Sequence, residues 1–324
     1  MAEWLVEHGV AEDRALLMDK GIPVAARIYW PGSLTAGQIE DAVLVSKPRD
    51  TTRGRAEFAS GEQALVDRLP ANAQEGSHVR LVITRAAIAE RSRVKLAQAR
   101  PTGADTRPAP GLTEQLRDAA ESVTVVHKFS GSDWEEIWTE ACDGTIAFPG
   151  GSIHCSATPA MTLIDVDGQM AAGPLALAAV PAIAAAIGKF DLSGSIGIDF
   201  PTIESRSDRK LIDDVLAAAL ARHEHERTAM NGFGFVQIVS RMTRPSLLHI
   251  IGHHRADATV RLLLRRAEEI ADPGALLLTM HPAVRAKLQS EWLDDLARRT
   301  GREIRLETDP GLAVDAAFAQ NVPV

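Results

Sequence analysis

The sequence predicts a mixed α/β chain made of more than one unit, and three observations carry that prediction. Two short apolar runs end in aspartate, 161–168 (MTLIDVDG) and 194–200 (GSIGIDF), with an alanine-rich stretch, 171–192, between them. That stretch is long enough for a crossover helix, which would make the two strands parallel and leave both aspartates at one edge of a sheet. From 35 to 100 the chain repeats short alternating strands parted by turns, the pattern of a small barrel. Beyond residue 255 helical and strand periodicities alternate again. A length of 324 residues leaves room for roughly two domains.

Taken in order, 4–8, 15–18 and 23–30 read as strands of a half-buried meander, with turn clusters at 11–13 and 19–21. The barrel strands are expected at 38–45, 55–59, 61–66, 77–85 and 92–97, an arrangement such as an OB-fold. Basic residues recur along them: Lys47, Arg49, Arg53, Arg55, Arg80, Arg85, Arg91, Arg93 and Lys95. Either this is a solvated β surface or it is a groove that tracks the backbone of a single-stranded nucleic acid. Phe58 is the only stacking candidate among them.

Residues 101–112 (PTGADTRPAPGL) have the composition of a linker. A helix follows over 113–121 with Thr113 as N-cap, then a strand at 123–127. Ser132 opens a second helix, 133–142, whose Trp134, Ile137, Trp138 and Ala141 share one face and read as core. Strand 148–155 is expected to pair antiparallel with 161–166. After Asp199 a helix is predicted from 207 to 226, with Leu211, Val215, Leu216, Ala219 and Leu220 inward, and a strand at 235–241. The tail reads as helix 259–270, strand 275–280, helix 282–297 and strand 304–307, an appendage short for an independent domain.

A net charge of −8 argues against a broadly basic nucleic-acid coat but leaves room for a local basic track. Cys142 and Cys155 are the only cysteines and are expected as reduced thiols. The opening residues lack a basic segment followed by an apolar core, and the apolar stretch 175–187 is short, alanine-dominated and carries Pro181. The expectation is a cytoplasmic protein with no membrane span.

Four blocks together resemble the catalytic region of the ribonuclease E/G family: FPGGSI at 148–153, TPAMTLIDVDG at 158–168, GSIGIDF at 194–200 and FGFVQIVSRMTRPSL at 233–247. A basic helix start with Arg206, Arg209 and Lys210 follows the second aspartate, as in that family. The resemblance implies an RNase H-like subdomain (1–35 plus 113–147) interrupted by an OB-fold RNA-binding insert (36–100). A linker (101–112), a DNase I-like metal-dependent catalytic subdomain (148–247) and a small α/β domain (255–324) complete it. It implies that Asp165 and Asp199 hold Mg²⁺, with Mn²⁺ as a substitute, for endonucleolytic cleavage of single-stranded RNA leaving 3′-hydroxyl and 5′-phosphate ends. Mg²⁺ is commonly held by one or two carboxylates plus phosphate and water, which suits two aspartates without imidazole. Asp167 falls on the family's third polar catalytic position, where asparagine is usual. The implied RNA contacts are Lys47, Arg49, Arg53, Arg55, Arg80, Arg93, Lys95, Arg206, Arg209 and Lys210.

Three departures bear on the substrate. Only 101–112 occupies the place of the family's 5′-monophosphate sensor, and Gly232 stands where an arginine precedes the Phe233-Gly234 turn. No cysteine follows Leu247, so no structural zinc and no zinc-linked dimer are expected. His249, His253 and His254 lie there instead; a zinc site normally needs four preorganised ligands, and a solvent-facing linker is the expected reading. Two other functions stay open. One is an RNA-binding or scaffold relative whose catalysis has decayed. The other is an α/β protein in which Asp-Gly after a strand is ordinary turn chemistry.

Overall fold

Alternating burial sets the first three strands, β1 (Glu3–His8), β2 (Asp13–Asp19) and β3 (Ile22–Tyr29), with Trp4, Val6, Leu16 and Ala26 turned inward. They form an antiparallel meander whose second turn places Lys20 and Gly21 at φ of 53° and 80°. Two left-handed residues in a two-residue loop are what a tight hairpin requires. The computed structural model describes residues 2–90, 94–119 and 122–323.

The next strands are β4 (Ile39–Ser46), β5 (Gly54–Phe58), β6 (Gln63–Val66), β7 (His78–Arg85), the short ribbon β8 (Ile88–Ala89) and β9 (Val94–Lys95), and β10 (Ala97–Pro101). Five of them close a barrel in the order β10-β6-β5-β4-β7, around Leu44, Val66, Leu81 and Ile83. Phe58 belongs to that core at 3% exposure, so it cannot present a stacking face. The predicted linker is partly structured: Pro101 ends β10, and Arg107 bridges to Ile39.

Helix α1 (Leu112–Asp118) starts one residue before Thr113, which therefore does not cap it; Gly111 holds that position. Strand β11 (Val123–Val126) then returns to pair in parallel with β1. The barrel is thus an insertion between two parts of one four-stranded sheet, β11-β1-β2-β3. Helix α2 (Asp133–Asp143) buries Trp134, Ile137, Trp138 and Ala141 on its inner face, as their spacing predicts.

The central sheet has the order β12-β13-β14-β15-β17-β16, with β12 (Thr145–Phe148), β13 (Gly151–Ala157), β14 (Thr162–Gly168), β15 (Ser195–Asp199), β16 (Glu226–Arg227) and β17 (Phe235–Val239). Helix α3 (Ala172–Lys189) is the crossover that makes β14 and β15 parallel neighbours. At 18 residues and a mean hydropathy of 1.5, α3 is long and apolar enough by composition to cross a bilayer, contrary to the reading of 175–187 as too short. Here its Leu175, Ala176, Ala179, Val180, Ile183 and Ile187 are buried in one core with Ile153, Ile164, Ile196 and Ile198 of the sheet.

Helix α4 (Arg206–Ala219) ends well before residue 226 and keeps only part of the expected stripe inward. Ile212, Leu216 and Leu220 are buried, whereas Leu211, Val215 and Ala219 are exposed. Adjacent stripes of equal spacing cannot be ranked by periodicity when both are apolar.

A π-helical turn, Leu248–Gly252, leads to the C-terminal unit: α5 (Arg255–Glu268), β18 (Ala275–Met280), α6 (Pro282–Arg285), α7 (Ser290–Thr300), β19 (Ile304–Thr308) and β20 (Phe318–Val322). The helix predicted over 282–297 is two helices, and β20 is an additional strand that pairs antiparallel with β18. This unit has its own core around Val260, Leu264, Leu276, Leu278 and Leu296.

A buried ionic cluster joins the C-terminal unit to the first sheet. Arg14 Nε and Nη2 donate to the two Glu7 carboxylate oxygens at 3.2 Å each, and Arg265 Nη1 lies 3.1 Å from Glu7 Oε1. Glu7, Arg14 and Arg265 are 0%, 2% and 5% exposed. Next to them the Arg261 guanidinium lies 4.0 Å from the Trp30 ring centroid and 4.6 Å from that of Trp292. Burial pushes the Glu12 carboxyl above the usual carboxylate range, opposed by Arg14 and by the Trp30 indole N–H that donates to it at 2.7 Å.

Candidate functional site

The two strand-end aspartates are brought together. β14 and β15 run in parallel in a register that sets Asp165 directly beside Asp199, on neighbouring strands roughly 4.8 Å apart. Both are exposed, while Ile164 and Ile198 on the opposite face are fully buried. The register continues on both sides: Thr145, His154, Asp165, Asp199 and Phe235 form one row across five strands. Like charges directly opposite destabilise a sheet, so this placement is a local cost that a bound cation would offset.

Neither Asp165 nor Asp199 has a hydrogen-bond or ion-pair partner among the described residues. Asp167, two residues along β14 on the same face, is different: its Oδ1 accepts the Gly168 N–H at 2.8 Å. Among the described residues no group of three or more His, Cys, Asp or Glu side chains is close enough to enclose a metal ion. The pair can supply two carboxylate ligands to a hard cation whose remaining positions go to water and phosphate, which is the mode Mg²⁺ favours. The donor set fits that ion and does not fit a closed zinc site.

Glycines shape this face. A Cβ on Gly168 would lie 2.5 Å from the Gly150 carbonyl oxygen, and one on Gly151 would lie 2.3 Å from that of Asp167. The close backbone approach holds the β13–β14 ladder tight beside Asp167. At Gly197 a Cβ would meet Phe235 Cζ at 2.5 Å and the Met161 sulfur at 2.9 Å. Phe235 therefore lies against the strand between the two catalytic candidates' rows. Substituting Gly197→Ala is expected to lift Phe235 and cost about 1–3 kcal/mol, measured by chemical denaturation.

His154 sits in register beside Asp165, with Nδ1 3.1 Å from Thr145 Oγ1 and Nε2 3.1 Å from Ser152 Oγ. The sequence reading missed this residue. Strand alternation within 151–157 was the available signal, since it puts His154 on the same face as Asp165 once antiparallel pairing is assumed. It also missed Phe233, which is 81% exposed in the turn before β17.

The basic residues fall into two groups. Lys47 donates to the Ala71 and Ala73 carbonyls, Arg53 pairs with Asp67 at 3.0 Å, and Arg80 forks onto Asp41 at 2.9 and 3.1 Å. Lys95 donates to the Pro159 carbonyl at 3.1 Å, and Arg209 donates to the Ile203 and Glu204 carbonyls. Arg49, Arg55, Arg206 and Lys210 are exposed without a hydrogen-bond or ion-pair partner among the described residues. Arg93 lies outside the described residues. Arg206 and Lys210 stand four apart on the first turns of α4, which follows Asp199 through a short loop. Lys95, through Pro159, ties the barrel side to the hairpin that carries Asp165.

The histidine segment is only partly solvent-facing: His253 and His254 are exposed, but His249 is not. His249 is 6% exposed, with Nδ1 2.8 Å from Ser246 Oγ and its ring 5.9 Å from that of His253. Burial, with smaller contributions from His253 and Lys95, pushes its imidazole down to about 4. Above pH 6.5 the ring is neutral in folded and unfolded chains alike. Below it the unfolded chain takes up a proton that the folded one refuses, so stability falls as the pH drops from about 6.5 towards about 4. In pH-dependent denaturation, His249→Gln is expected to remove up to roughly 3 kcal/mol of that acid-side loss.

An apolar cleft of about 340 Å³ lies away from the aspartates, among Trp30, Leu34, Ala87, Pro245 and Ile250. The carboxylate row instead lies on an open sheet face, which suits a polymer lying across it better than a small molecule held in a pocket. Compared with models of known families and with characterised protein sequences, the chain matches none.

Proposed function

We propose that the chain is a metal-dependent endoribonuclease of the ribonuclease E/G type, acting on single-stranded RNA. One observation carries the reading: two unpartnered carboxylates, Asp165 and Asp199, are set side by side at the ends of parallel strands. The four sequence blocks that resemble the family all fall on this sheet or on the turn and strand that complete it. The subdomain plan fits as well. The closed barrel is compatible with an OB-fold RNA-binding insert, and β11 rejoins β1 across it, as expected for an interrupted RNase H-like unit. The six-stranded sheet with α3 and α4 stands as the DNase I-like catalytic subdomain.

In this reading Asp165 and Asp199 would hold Mg²⁺, whose chemistry there would be to polarise the scissile phosphoryl group and lower the pKa of the attacking water. The chain's own residues do the rest. Arg206 and Lys210, unpartnered at the start of α4, neutralise phosphates next to the carboxylates. The Thr145 and Ser152 hydroxyls engage both ring nitrogens of His154 and hold its imidazole beside Asp165. Arg55, exposed on the barrel strand β5 and unpartnered among the described residues, offers a further phosphate contact.

The test is incubation of purified protein with a 5′-labelled single-stranded RNA in Mg²⁺, Mn²⁺ and chelator. The expected result is metal-dependent internal cuts with 3′-hydroxyl and 5′-phosphate ends. Retarded RNA that is never cut under either metal would instead identify a scaffold relative without catalysis.

A further inference from the structure

Phe233 is the most exposed large apolar side chain among the described residues, at 81%. A ring left in water normally signals a mobile tip, but the backbone that carries this one is held. The Asn231 side-chain carbonyl accepts the N–H groups of Phe233 and Phe235 at 2.9 and 3.0 Å, which locks the turn. Gly234 follows at a φ of 87°, and a Cβ there would lie 2.5 Å from the Phe200 carbonyl oxygen. The Phe200 N–H in turn donates to the Gly234 carbonyl at 3.2 Å. The turn is therefore fastened to the residue that immediately follows Asp199.

Its place relative to the carboxylates follows from the register. Phe235 pairs with Asp199, and Phe233 lies two residues further, in the turn just beyond the strand ends. A rigidly mounted, solvated aromatic ring one short step from a proposed phosphodiester site suits a nucleobase. Every base offers a π-face, so such a contact is sequence-tolerant. Phe58, the stacking candidate of the barrel, is buried and cannot serve.

We propose that Phe233 is a stacking platform for the base of the nucleotide next to the scissile phosphate in single-stranded RNA. The inference rests on the ribonuclease reading and adds a substrate contact to it. The ring grips the unpaired base, so duplex RNA, whose bases are stacked on each other, loses that contact.

The experiment compares wild type with Phe233→Ala and Phe233→Trp on an oligoribonucleotide carrying 2-aminopurine beside the cleavage position. Binding and 2-aminopurine emission are read in chelator, and KM and kcat are read in Mg²⁺. Phe233→Ala is expected to weaken binding and raise KM roughly 5- to 150-fold with little change in kcat, the range that about 1–3 kcal/mol of stacking converts to. Phe233→Trp is expected to restore both, and melting temperatures should stay together because the ring packs on nothing. Equal binding, emission and KM in wild type and Phe233→Ala, with cleavage intact, would overturn the stacking role and leave the ribonuclease reading standing. Binding that falls in Phe233→Ala while no form of the protein cuts RNA would support the stacking role and remove the hydrolytic reading. Wild type that neither binds nor cuts would overturn both.

Discussion

On the proposed ribonuclease reading, Asp165→Asn and Asp199→Asn are each expected to reduce Mg²⁺-dependent RNA cleavage by roughly 10³-fold or more while the protein stays folded. The magnitude follows from the several kcal/mol that a bound metal contributes to transition-state charge, at 1.36 kcal/mol per tenfold in rate. The fold survives because both side chains are exposed and unpartnered, so an amide of the same shape leaves no buried group stranded. A second readout separates metal loss from misfolding. In chelator, each variant should melt at or above wild type, because one of two directly opposed negative charges has gone. With added Mg²⁺ only wild type should gain stability, by mass action on the folded state. Full cleavage by both variants would contradict the role assigned to the pair.

Glu7→Gln is expected to destabilise the protein by about 3–5 kcal/mol, the usual result of removing one partner from a buried ionic cluster. Glu7 is fully buried and receives Arg14, Arg265 and the Phe129 N–H, so the substitution leaves two nearly buried guanidinium groups short of a counter-charge. Gly9 leaves the space that Arg265 occupies: a Cβ there would lie 2.0 Å from its Nη2. The loss should weaken the junction of the C-terminal unit with β1 and β2, where the cluster acts beside Val10, which packs in the C-terminal core, and the Arg261–Ala11 hydrogen bond. Equilibrium denaturation followed by the tryptophan signal checks this; a change below about 1 kcal/mol would mean that water already shares the cluster.

The parts of the fold legible in the sequence are those governed by short periods. The parallel placement of Asp165 and Asp199 followed from two apolar runs and a helix-length spacer, and the structure has them in register. The barrel strands followed from alternation and turn residues, and the inner face of α2 from helical spacing. What escaped depends on contacts between distant segments. Arg265 meets Glu7 across 258 positions of sequence, and no local pattern points to that pairing. Phe58 looked like a surface platform between arginines, yet strand phase turned it into the barrel. His249 reads alike with His253 and His254, yet a π-helical turn tucks it alone against Ser246 while they stay exposed. His154 and Phe233 became visible only when register placed them beside the carboxylates.

The contrast within the site is chemical. The paired carboxylates stand free, whereas Lys47, Arg53, Arg80, Lys95 and Arg209 are engaged with partners in the same chain. Exposed ion pairs of this kind exchange cheaply, because they are worth at most about 1 kcal/mol. RNA can compete for Arg53 and Arg80 at low salt, and the grip should weaken steeply as salt is raised.

A crystal soaked in Mn²⁺ tests the central claim most directly, by anomalous scattering at the manganese edge. A single strong peak between the carboxylates of Asp165 and Asp199, absent in Asp199→Asn, is the predicted result. A map with no peak there at millimolar Mn²⁺, or with its only peak elsewhere, would contradict it.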